Sequence, residues 1–419
     1  MRVLHLSWEY PPLVYGGLGR HVHALAEAQA AAGHDVVVVT QHSGDPSEVL
    51  DERVNGVRVV RAPYEPMRLG PDEFLAWASG FNHSLARAAL RVGHEWRPEV
   101  VHGHDWVVAH AGATLREAFG IPLVATVHAT EAGRHQGWLP GELSRSIHGI
   151  EWWFTFEARR VIACSEHMRW EVTRLFDLPA DSVDVIPNGI DLAAWRAAPR
   201  DIARARAVHA GEGPLVVVPG RLEWEKGVHT VIDAMPRLRR RFPGLSLVVA
   251  GRGSQVDDLQ DRARARRVAG SVTFAGWLSG RDLPALVGAA DVVVVPSLYE
   301  PFGLVALEAT AAGAPLVVAR TGGLAEVVRD GVTGLTFPAG DVAALADAVT
   351  ATLRDQVGAR RRVRRLRADL ARDHTWSGAA RRTTDTYRRA IHEETELVAR
   401  TRRPRDTGAL DGNLLLDVR

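Results

Sequence analysis

Apolar runs and amphipathic stretches alternate along almost the whole chain. The runs DVVVVT at residues 35–40 and DVVVV at residues 291–295 are typical of strands buried on both faces of a parallel sheet. After another such run, apolar residues recur at helical spacing, at positions 228, 231, 232, 235 and 238. This alternation of strands and helices predicts an α/β fold with mainly parallel sheets.

The alternation weakens at one place, which we interpret as a boundary between domains. Residues 196–213 are rich in Ala, Arg and Gly with little periodicity, so we predict a linker there. A chain of 419 residues is also too long for one ordinary core. We therefore predict two Rossmann-like domains facing a cleft, at 1–195 and 214–376, followed by a helix at 377–397 and a disordered tail at 398–419.

The most informative stretch is PSLYEPFGLVALE, at residues 296–308. It follows a predicted buried strand, turns at Pro-Phe-Gly and continues into an apolar helical run. The start of such a helix has free backbone N–H groups, which favour an anion. Glu300 precedes the turn, and Glu308 would lie roughly 8 Å along the helix axis. Two carboxylates at this separation suit an elongated ligand such as a nucleotide-sugar, with its diphosphate at the helix start.

Lys226 is the only lysine among the 51 Lys and Arg residues of the chain. It lies with Arg221 in the segment GRLEWEKG, between a predicted strand and a predicted helix. A lysine in a chain that otherwise uses arginine indicates a need for a compact ammonium group, although chance survival is the alternative. Both cations bind phosphate, so both are candidate phosphate ligands.

Polar residues gather where the predicted strands of the first domain end, which is where ligands bind in parallel sheets. These residues are Glu9, His104, Asp105, His128, Glu131, Asn188 and Asp191. Close to the first of them, the glycines at 16, 17 and 19 read G-G-x-G instead of the dinucleotide fingerprint G-x-G-x-x-G. The loop is therefore either a phosphate-binding loop of another kind or a plain flexible turn.

Three histidines near these strand ends, at 102, 104 and 128, raise the question of a metal. Their spacing matches no known metal motif. The chain also has no D-x-D pair, which often holds a divalent ion in enzymes that use nucleotide-sugars. We therefore expect neither a metal nor a cofactor.

Composition narrows the partners and the compartment. The net charge of +1 gives no argument for nucleic acid. The single cysteine, Cys164, excludes an internal disulfide and suits a reducing compartment. No signal peptide or transmembrane run is visible, so we expect a cytoplasmic protein; peripheral membrane contact stays open as the less favoured alternative. The oligomeric state stays open.

Taken together, several segments resemble the retaining glycosyltransferases of family 4, which have the two-domain GT-B fold. The segments are EYPP-x3-GG-x-G, HDW, TVH, IPNGID, GRLEWEKG and EPFGLVALE, and the resemblance extends to about residue 395. It implies a C-terminal helix that crosses back to the first domain. It also implies that the first domain lies on the acceptor side and the second binds a nucleotide-sugar donor.

The resemblance assigns a function to most of the candidate residues. Arg221 and Lys226 would hold the donor diphosphate, and Gly16 and Gly17 would close over it from the first domain. In the second domain, Glu300 would contact the donor sugar, the amides of Gly303 and Leu304 would approach sugar and phosphate, and Glu308 would bind ribose. On the acceptor side, His128 and Asp105 would line the sugar site, beside the strand-end residues Glu9, Glu131 and Asn188.

A closer likeness is to the α-1,4-glucosyltransferases that elongate glycogen-like glucans and methylglucose lipopolysaccharide. The segments SWEYPP, GGLGRHVH, HATEAGRHQGW and RLEWEKGVH carry it. It implies retaining transfer of glucose from a nucleotide-glucose to the 4-hydroxyl of an α-glucan. Bacterial glycogen synthases usually have K-x-G-G where this chain reads V-Y-G-G, so the donor base, UDP or ADP, stays open. The alternatives are another acceptor (a lipid or small molecule), a nucleotide-sugar 2-epimerase and a non-catalytic binder.

Overall fold

The structure is a computed structural model that describes residues 1–45, 48–63, 73–210, 212–278 and 280–401. Two β-sheets, both almost entirely parallel, organise the two halves of the chain. Helices cover both faces of each sheet, and this confirms the predicted pair of Rossmann-like domains.

The first domain is built on an eight-stranded sheet. Its strands are β1 (Arg2–Leu6), β2 (Asp35–Gln41), β3 (Asp51–Val54), β4 (Val57–Ala62), β5 (Val100–His104), β6 (Leu123–Val127), β7 (Arg160–Ala163) and β8 (Val183–Val185). They lie in the order β3-β4-β2-β1-β5-β6-β7-β8, with β3 antiparallel to β4. Its helices are α1 (Gly17–Ala31), α2 (Phe74–Trp96), α3 (Ala109–Phe119), α4 (Glu131–Arg134), α5 (Gly141–Glu157) and α6 (Glu166–Phe176).

The second domain has a six-stranded parallel sheet. Helix α7 (Pro199–His209) precedes its strands β9 (Leu215–Pro219), β10 (Ser246–Ala250), β11 (Val272–Gly276), β12 (Val292–Val295), β13 (Leu316–Ala319) and β14 (Leu335–Phe337). The strand order is β11-β10-β9-β12-β13-β14. The remaining helices are α8 (Val228–Arg241), α9 (Val256–Ala265), α10 (Asp282–Ala289), α11 (Leu304–Ala312), α12 (Leu324–Val327), α13 (Val342–Arg354), α14 (Gln356–Asp373) and α15 (Trp376–Thr401).

Strand order places the functional loops opposite one another. Each sheet reverses its order at one point, between β1 and β5 in the first domain and between β9 and β12 in the second. Loops at the carboxyl ends of such strands form the usual ligand crevice of this fold. Here those loops carry Glu9, Asp105, the segment 220–227 and the turn at 296–303.

An apolar core joins the two domains behind this crevice. Met168 and Phe176 of α6 belong to the same buried cluster as Phe302 and Leu307 of the second domain. Burying these side chains removes apolar area from water and favours the closed arrangement of the domains. The crevice is therefore supported by packed side chains on both sides.

The segment predicted as a linker, at 196–213, is largely helix α7, and this differs from the sequence-based expectation. Pro199 occupies the first turn, and Ile202 packs against the core of the second domain. Arg206 fixes the helix through a bond of 2.8 Å from its Nη1 to Asp291 Oδ2. Asp291 is far away in sequence, so the local pattern could not reveal that the segment belongs to the second domain.

Helix α15 crosses back to the first domain, which confirms the helix expected at 377–397. The fully buried ring of Tyr387 packs in a cluster with Val3 and Val100 of the first sheet. Arg159 and Arg160 bind Glu394 and Glu393 of the helix, both at 2.8 Å. The helix continues to Thr401, so the first residues of the predicted tail at 398–419 are helical, and 402–419 lie outside the described residues.

Within the described ranges, no helix is long and apolar enough to cross a membrane. The basic helix α14 buries Val363, Leu366 and Leu370 on one face. Most of its arginines lie on the opposite, solvated face. It therefore packs on the second domain as an ordinary amphipathic helix.

Candidate functional site

A cavity of about 600 Å³ lies between the domains at the carboxyl ends of the strands. A cavity of this volume suits a ligand the size of a nucleotide-sugar. Of the residues to which the family resemblance gives a place in the site, all but Glu131 line it: Glu9, Gly16, Gly17, Asp105, His128, Asn188, Arg221, Lys226, Glu300, Gly303, Leu304 and Glu308.

Glu131 is the residue that the structure places elsewhere. Its carboxylate accepts the hydroxyl of Ser144 at 2.7 Å and lies 3.2 Å from Nε2 of His135. Its backbone N–H donates to Glu151 Oε1 at 2.8 Å. Glu131 thus ties the start of α4 to α5 and does not line the cavity, so its role on the acceptor side stays a prediction.

The glycine loop before α1 is held by Glu9. This buried carboxylate accepts the backbone N–H groups of Tyr15 at 2.8 Å and of Gly16 at 2.9 Å. Burial raises the pKa of Glu9, and these hydrogen bonds oppose the rise. A Cβ at Gly17 would lie 3.0 Å from Leu304 Cδ1, so the glycine lets the two domains approach closely.

The turn at 296–303 brings the predicted sugar-binding carboxylate against the predicted phosphate-binding lysine. Lys226 Nζ donates to Glu300 Oε2 at 2.9 Å, and the Ser297 hydroxyl donates to the same oxygen at 3.1 Å. Gly303 has a φ of 105°, and a Cβ there would lie 2.6 Å from Leu324 Cδ2. The turn therefore needs glycine on both conformational and steric grounds.

The strand–turn–helix prediction for 291–308 is confirmed. Helix α11 is nine residues long and begins at Leu304 directly after Gly303, and both of these residues line the cavity. The first backbone amides of a helix carry a partial positive charge and are good partners for phosphate oxygens. Glu308 lies one turn further along the same helix.

Three cavity residues that the sequence analysis did not single out contribute charge. Arg20 of α1 forms an ion pair with Glu308 across the cleft. Burial raises the pKa of Glu308, and Arg20 opposes the rise. Arg221 Nη2 donates to Glu225 at 3.0 Å, and Arg134 lies 3.9 Å from the same carboxylate. Arg20, Arg134 and Glu225 lie inside the segments GGLGRHVH, HATEAGRHQGW and RLEWEKGVH, but only the fold shows which partner each of them has.

His128 and Asp105 form the wall of the cavity on the first domain. Asp105 Oδ1 accepts the backbone N–H of His128 at 2.7 Å, and Asp105 itself has a φ of 61°. Burial raises the pKa of Asp105 to about 6 and lowers the pKa of His128 to about 3. At neutral pH this wall therefore presents a carboxylate and an uncharged imidazole.

Four more histidines lie behind His128, at 5, 21, 102 and 104, and all are buried. Two groups of three have nitrogens within 4.8 Å of one another, namely His5, His102 and His104, and His21, His104 and His128. In the first group, hydrogen bonds engage both ring nitrogens of every member. In the second, His21 Nδ1 lies 2.6 Å from Asn188 Oδ1.

The arrangement suits one kind of chemistry. Two cations and a helix start converge on one region, where they can bind a diphosphate and stabilise the charge that develops on it. Carboxylates on either side can accept hydrogen bonds from the hydroxyl groups of a sugar and of a ribose. The cavity thus has the features needed to bind a nucleotide-sugar and to favour departure of its diphosphate.

Comparison with known proteins agrees with this geometry. The family described as Glycosyltransferase Family 4 matches residues 15–194, and the one described as Glycosyl transferases group 1 matches residues 199–369. A glycogen synthase of Mycobacterium tuberculosis is 48% identical over 92% of this chain and 94% of its own length. A D-inositol 3-phosphate glycosyltransferase of Saccharomonospora viridis is 32% identical over 90% of each chain.

A similar solved structure is sucrose-phosphate synthase from Thermosynechococcus elongatus. It is 27% identical, covers 94% of this chain and 99% of its own, and superimposes with a TM-score of 0.80. The similarity extends over both domains, so the arrangement of the two sheets is shared as well as each sheet by itself.

Proposed function

The chain belongs to the glycosyltransferases whose two halves are described as family 4 and group 1, and we propose that it transfers glucose from a nucleotide-glucose to the 4-hydroxyl of an α-1,4-glucan with retention of configuration. The glycogen synthase relative, at 48% identity over almost the full length of both chains, supports glucan as the acceptor.

One observation carries the proposal. Arg221, Lys226 and the start of α11 surround a single region of the cavity, and Glu300 and Glu308 lie on either side of that helix start. This order follows the order of groups in a nucleotide-sugar, from sugar through diphosphate to ribose. The donor would therefore lie along α11, with its base beyond Glu308.

Donor binding would exchange partners inside the cavity. Without a ligand, Lys226 is paired with Glu300 and Arg221 with Glu225. A diphosphate would take over both cations, and the Glu300 carboxylate would then be free to accept sugar hydroxyls. Because the cations are already in place, little reorganisation is needed when the sugar–phosphate bond breaks and charge builds on the leaving diphosphate.

We propose front-face attack by the acceptor hydroxyl. The leaving diphosphate oxygen takes the acceptor proton while the new glycosidic bond forms on the face from which the diphosphate departs. This mechanism does not need a carboxylate of the protein to act as a nucleophile. The neutral His128 and the ionised Asp105 would orient the sugar through hydrogen bonds.

The proposal includes independence from metal ions and a cytoplasmic location. In the absence of D-x-D, Lys226 and Arg221 can supply the positive charge that a divalent ion supplies elsewhere. The single cysteine, which is free and buried, is compatible with a reducing compartment.

A second acceptor class has a specific observation in its favour. The relative from Saccharomonospora viridis is described as acting on D-inositol 3-phosphate, a small phosphorylated acceptor. Arg134 on the acceptor side of the cavity could pair with such a phosphate. The lower identity of this relative, 32% against 48%, makes it the second candidate.

A matrix of donors and acceptors tests the proposal. UDP-glucose and ADP-glucose are each combined with malto-oligosaccharides of graded length, D-inositol 3-phosphate, a lipid acceptor and no acceptor. We expect malto-oligosaccharides to be extended one glucose at a time. Transfer to D-inositol 3-phosphate and to no other acceptor would contradict α-glucan as the acceptor and support the second candidate. Conversion of the donor sugar without any acceptor would indicate an epimerase.

A further inference from the structure

A chain of hydrogen bonds leads from the cavity wall into the first domain. His128 Nε2 lies 3.2 Å from His104 Nδ1, and His104 Nε2 lies 3.0 Å from His5 Nδ1. His5 Nε2 lies 2.7 Å from Gln29 Oε1. Strand pairing creates the chain, because β1 and β5 lie side by side and bring their histidines together below α1.

The chain continues from Gln29 to the crossing helix. Gln29 Nε2 donates to the Tyr387 hydroxyl at 3.1 Å. That hydroxyl lies 2.7 Å from His102 Nδ1, and His102 Nε2 lies 2.7 Å from Thr126 Oγ1. Gln29, Tyr387 and His102 are all fully buried, so water cannot replace these bonds.

The histidines of this chain of hydrogen bonds are uncharged. Burial lowers the pKa of His5 to about 4 and that of His128 to about 3, and it lowers the pKa of His102 and His104 well below the usual value. A neutral imidazole has one N–H donor and one acceptor nitrogen. Each histidine therefore donates in one direction of the chain and accepts from the other.

This alternation links the proton positions of all the rings. Gln29 Oε1 can only accept, so the proton of His5 lies on Nε2, and His5 Nδ1 accepts from His104. His104 Nδ1 then accepts from His128 Nε2–H, and the lone pair of His128 is left on Nδ1. Reversing the Gln29 amide would reverse every bond and place the proton of His128 on Nδ1.

We propose that Gln29, anchored by Tyr387, is a positioning residue that fixes the tautomer of His128 through His5 and His104, so that Nδ1 of His128 accepts a hydrogen bond from a sugar hydroxyl in the cavity. The sugar as ligand rests on the proposed function, whereas the tautomer does not. With its tautomer fixed, Nδ1 of His128 can only accept a hydrogen bond, so it favours a sugar hydroxyl that donates one. Substrate binding then requires no free energy to select one tautomer.

The position of Tyr387 adds a link across the molecule. The tyrosine lies on α15, which follows the entire second domain in the chain. Its hydroxyl accepts from Gln29 Nε2, so its one hydrogen goes to His102 Nδ1, and His102 Nε2–H then donates to Thr126 Oγ1. The C-terminal helix thus contributes the hydroxyl that holds the Gln29 amide at the inner end of the histidine chain.

Nitrogen-15 NMR of the full chain labelled at histidine tests the tautomer directly, because a protonated and an unprotonated ring nitrogen differ strongly in chemical shift. The His128 signals are identified by their loss in His128→Asn. We expect Nε2 of His128 to be protonated and Nδ1 to be unprotonated at neutral pH. The opposite tautomer, or an equal mixture of the two in the unaltered protein, would overturn the proposal.

Two variants test the anchor. Gln29→Met keeps the volume but removes both hydrogen bonds, and Tyr387→Phe keeps the ring but removes the hydroxyl. We expect the His128 signals in both to move towards the average of the two tautomers, and kcat/KM for donor to fall about tenfold, the scale of one hydrogen bond. Unchanged His128 signals in both variants would overturn the proposal, whatever happens to activity.

Asn82→Leu is the matched control. Asn82 is another buried side-chain amide of the first domain, and it bonds to backbone groups of Ala78, Val107 and Ala111 away from the histidines. It should lower the melting temperature and leave the His128 tautomer unchanged. A change in the histidine signals on adding EDTA or zinc would instead assign the cluster to a metal and would also overturn the proposal. Loss of glucan transfer with the expected tautomer would count against the proposed function alone.

Discussion

At the scale of single residues, the charged side chains of the cavity form ion pairs with one another where a ligand would bind. Lys226 and Glu300 bind one another at 2.9 Å, and Arg20 and Glu308 are paired across the cleft. In each pair the carboxylate is buried and the cation is partly exposed, so water reaches the cation and a ligand can displace the pairing. The same side chains can therefore be stable without substrate and available when it arrives.

The charge of Lys226 should account for much of the rate. Lys226→Met should lower kcat by about two to three orders of magnitude, the scale for one preorganised group at a developing anion. Lys226→Arg should also be poor, because a planar guanidinium does not fit the place of a compact ammonium beside Glu300. Turnover with saturating donor and acceptor is the measurement.

Arg237→Met serves as the control for this prediction, since Arg237 pairs with the exposed Asp347 on the outer surface of the second domain. It should keep the turnover of the unaltered protein. An active Lys226→Arg variant would contradict the inference drawn from the single lysine.

Asp105 should link activity and stability to pH. Its pKa is raised from 3.8 to about 6 by burial, so ionising it costs folding free energy as the pH rises between these values. Asp105→Asn removes that cost. The variant should therefore melt at a higher temperature than the unaltered protein at pH 7, and the difference should shrink towards pH 4.

The same substitution should change the acid limb of the activity profile. The unaltered protein should lose kcat/KM as the pH falls through about 6, because Asp105 loses its charge. Asp105→Asn should lack this limb, because His128 stays neutral down to about pH 3. An identical acid limb in both proteins would assign it to another group.

At the scale of elements, the two domains meet through Tyr299 and helix α4. The Tyr299 hydroxyl donates to Glu171 Oε1 at 2.8 Å and accepts the Thr130 backbone N–H at 3.2 Å. A Cβ on Gly133 would lie 2.4 Å from the Tyr299 ring. The absence of a side chain at 133 is thus what allows the ring to enter the first domain.

Gly133→Ala should push Tyr299 out and open the cavity. We expect the KM for the donor to rise about tenfold or more, because the glycine loop and α11 would no longer approach each other. Gly149→Ala, on α5, is the control, because a Cβ there meets no atom within 4 Å and alanine favours a helix. Equal donor KM values in the two variants would show that this contact does not hold the cleft.

Sequence periodicity was sufficient for elements whose burial is local. The run at 291–295, the turn and the start of α11 were predicted because strand, glycine turn and apolar helix follow one another directly. The helical structure of α7 was not predicted, because the residue that anchors it, Asp291, is remote in sequence. Patterns within a short window carry no information about such a partner.

Contacts between residues that are far apart in the sequence could likewise not be predicted from it. Arg20 and Glu308 come from different domains, and the buried histidines become neighbours only when β1 pairs with β5. The prediction grouped His102, His104 and His128 but omitted His5 and His21, which come from β1 and α1. A polar residue inside a strand that otherwise reads as apolar, as His5 does in RVLHL, was the available signal.

At the scale of the whole molecule, segments from both ends of the sequence, α1 and α15, pack together beside the cleft. Helix α15 returns from the second domain and packs on α1, whose first residues form the glycine loop. Arg160 and Tyr387 tie that helix to the sheet of the first domain. The glycine loop, the histidine chain and the crossing helix therefore form one connected body on the acceptor side.

The activity of the protein should survive excess EDTA, since Lys226 and Arg221 of the second domain provide the positive charge at the diphosphate. The initial rate of nucleoside diphosphate release, measured with and without the chelator, is the test. Loss of activity that magnesium or manganese specifically restores would contradict it.

The product of a single transfer tests the central claim most directly. Maltohexaose is incubated with the accepted nucleotide-glucose, and the new anomeric proton is followed by NMR from the first minutes of the reaction. Retaining transfer to the 4-hydroxyl predicts maltoheptaose with an α-1,4 linkage at its non-reducing end, formed together with one nucleoside diphosphate. A β-linked product, a linkage to another hydroxyl, or diphosphate release without a longer glucan would contradict it.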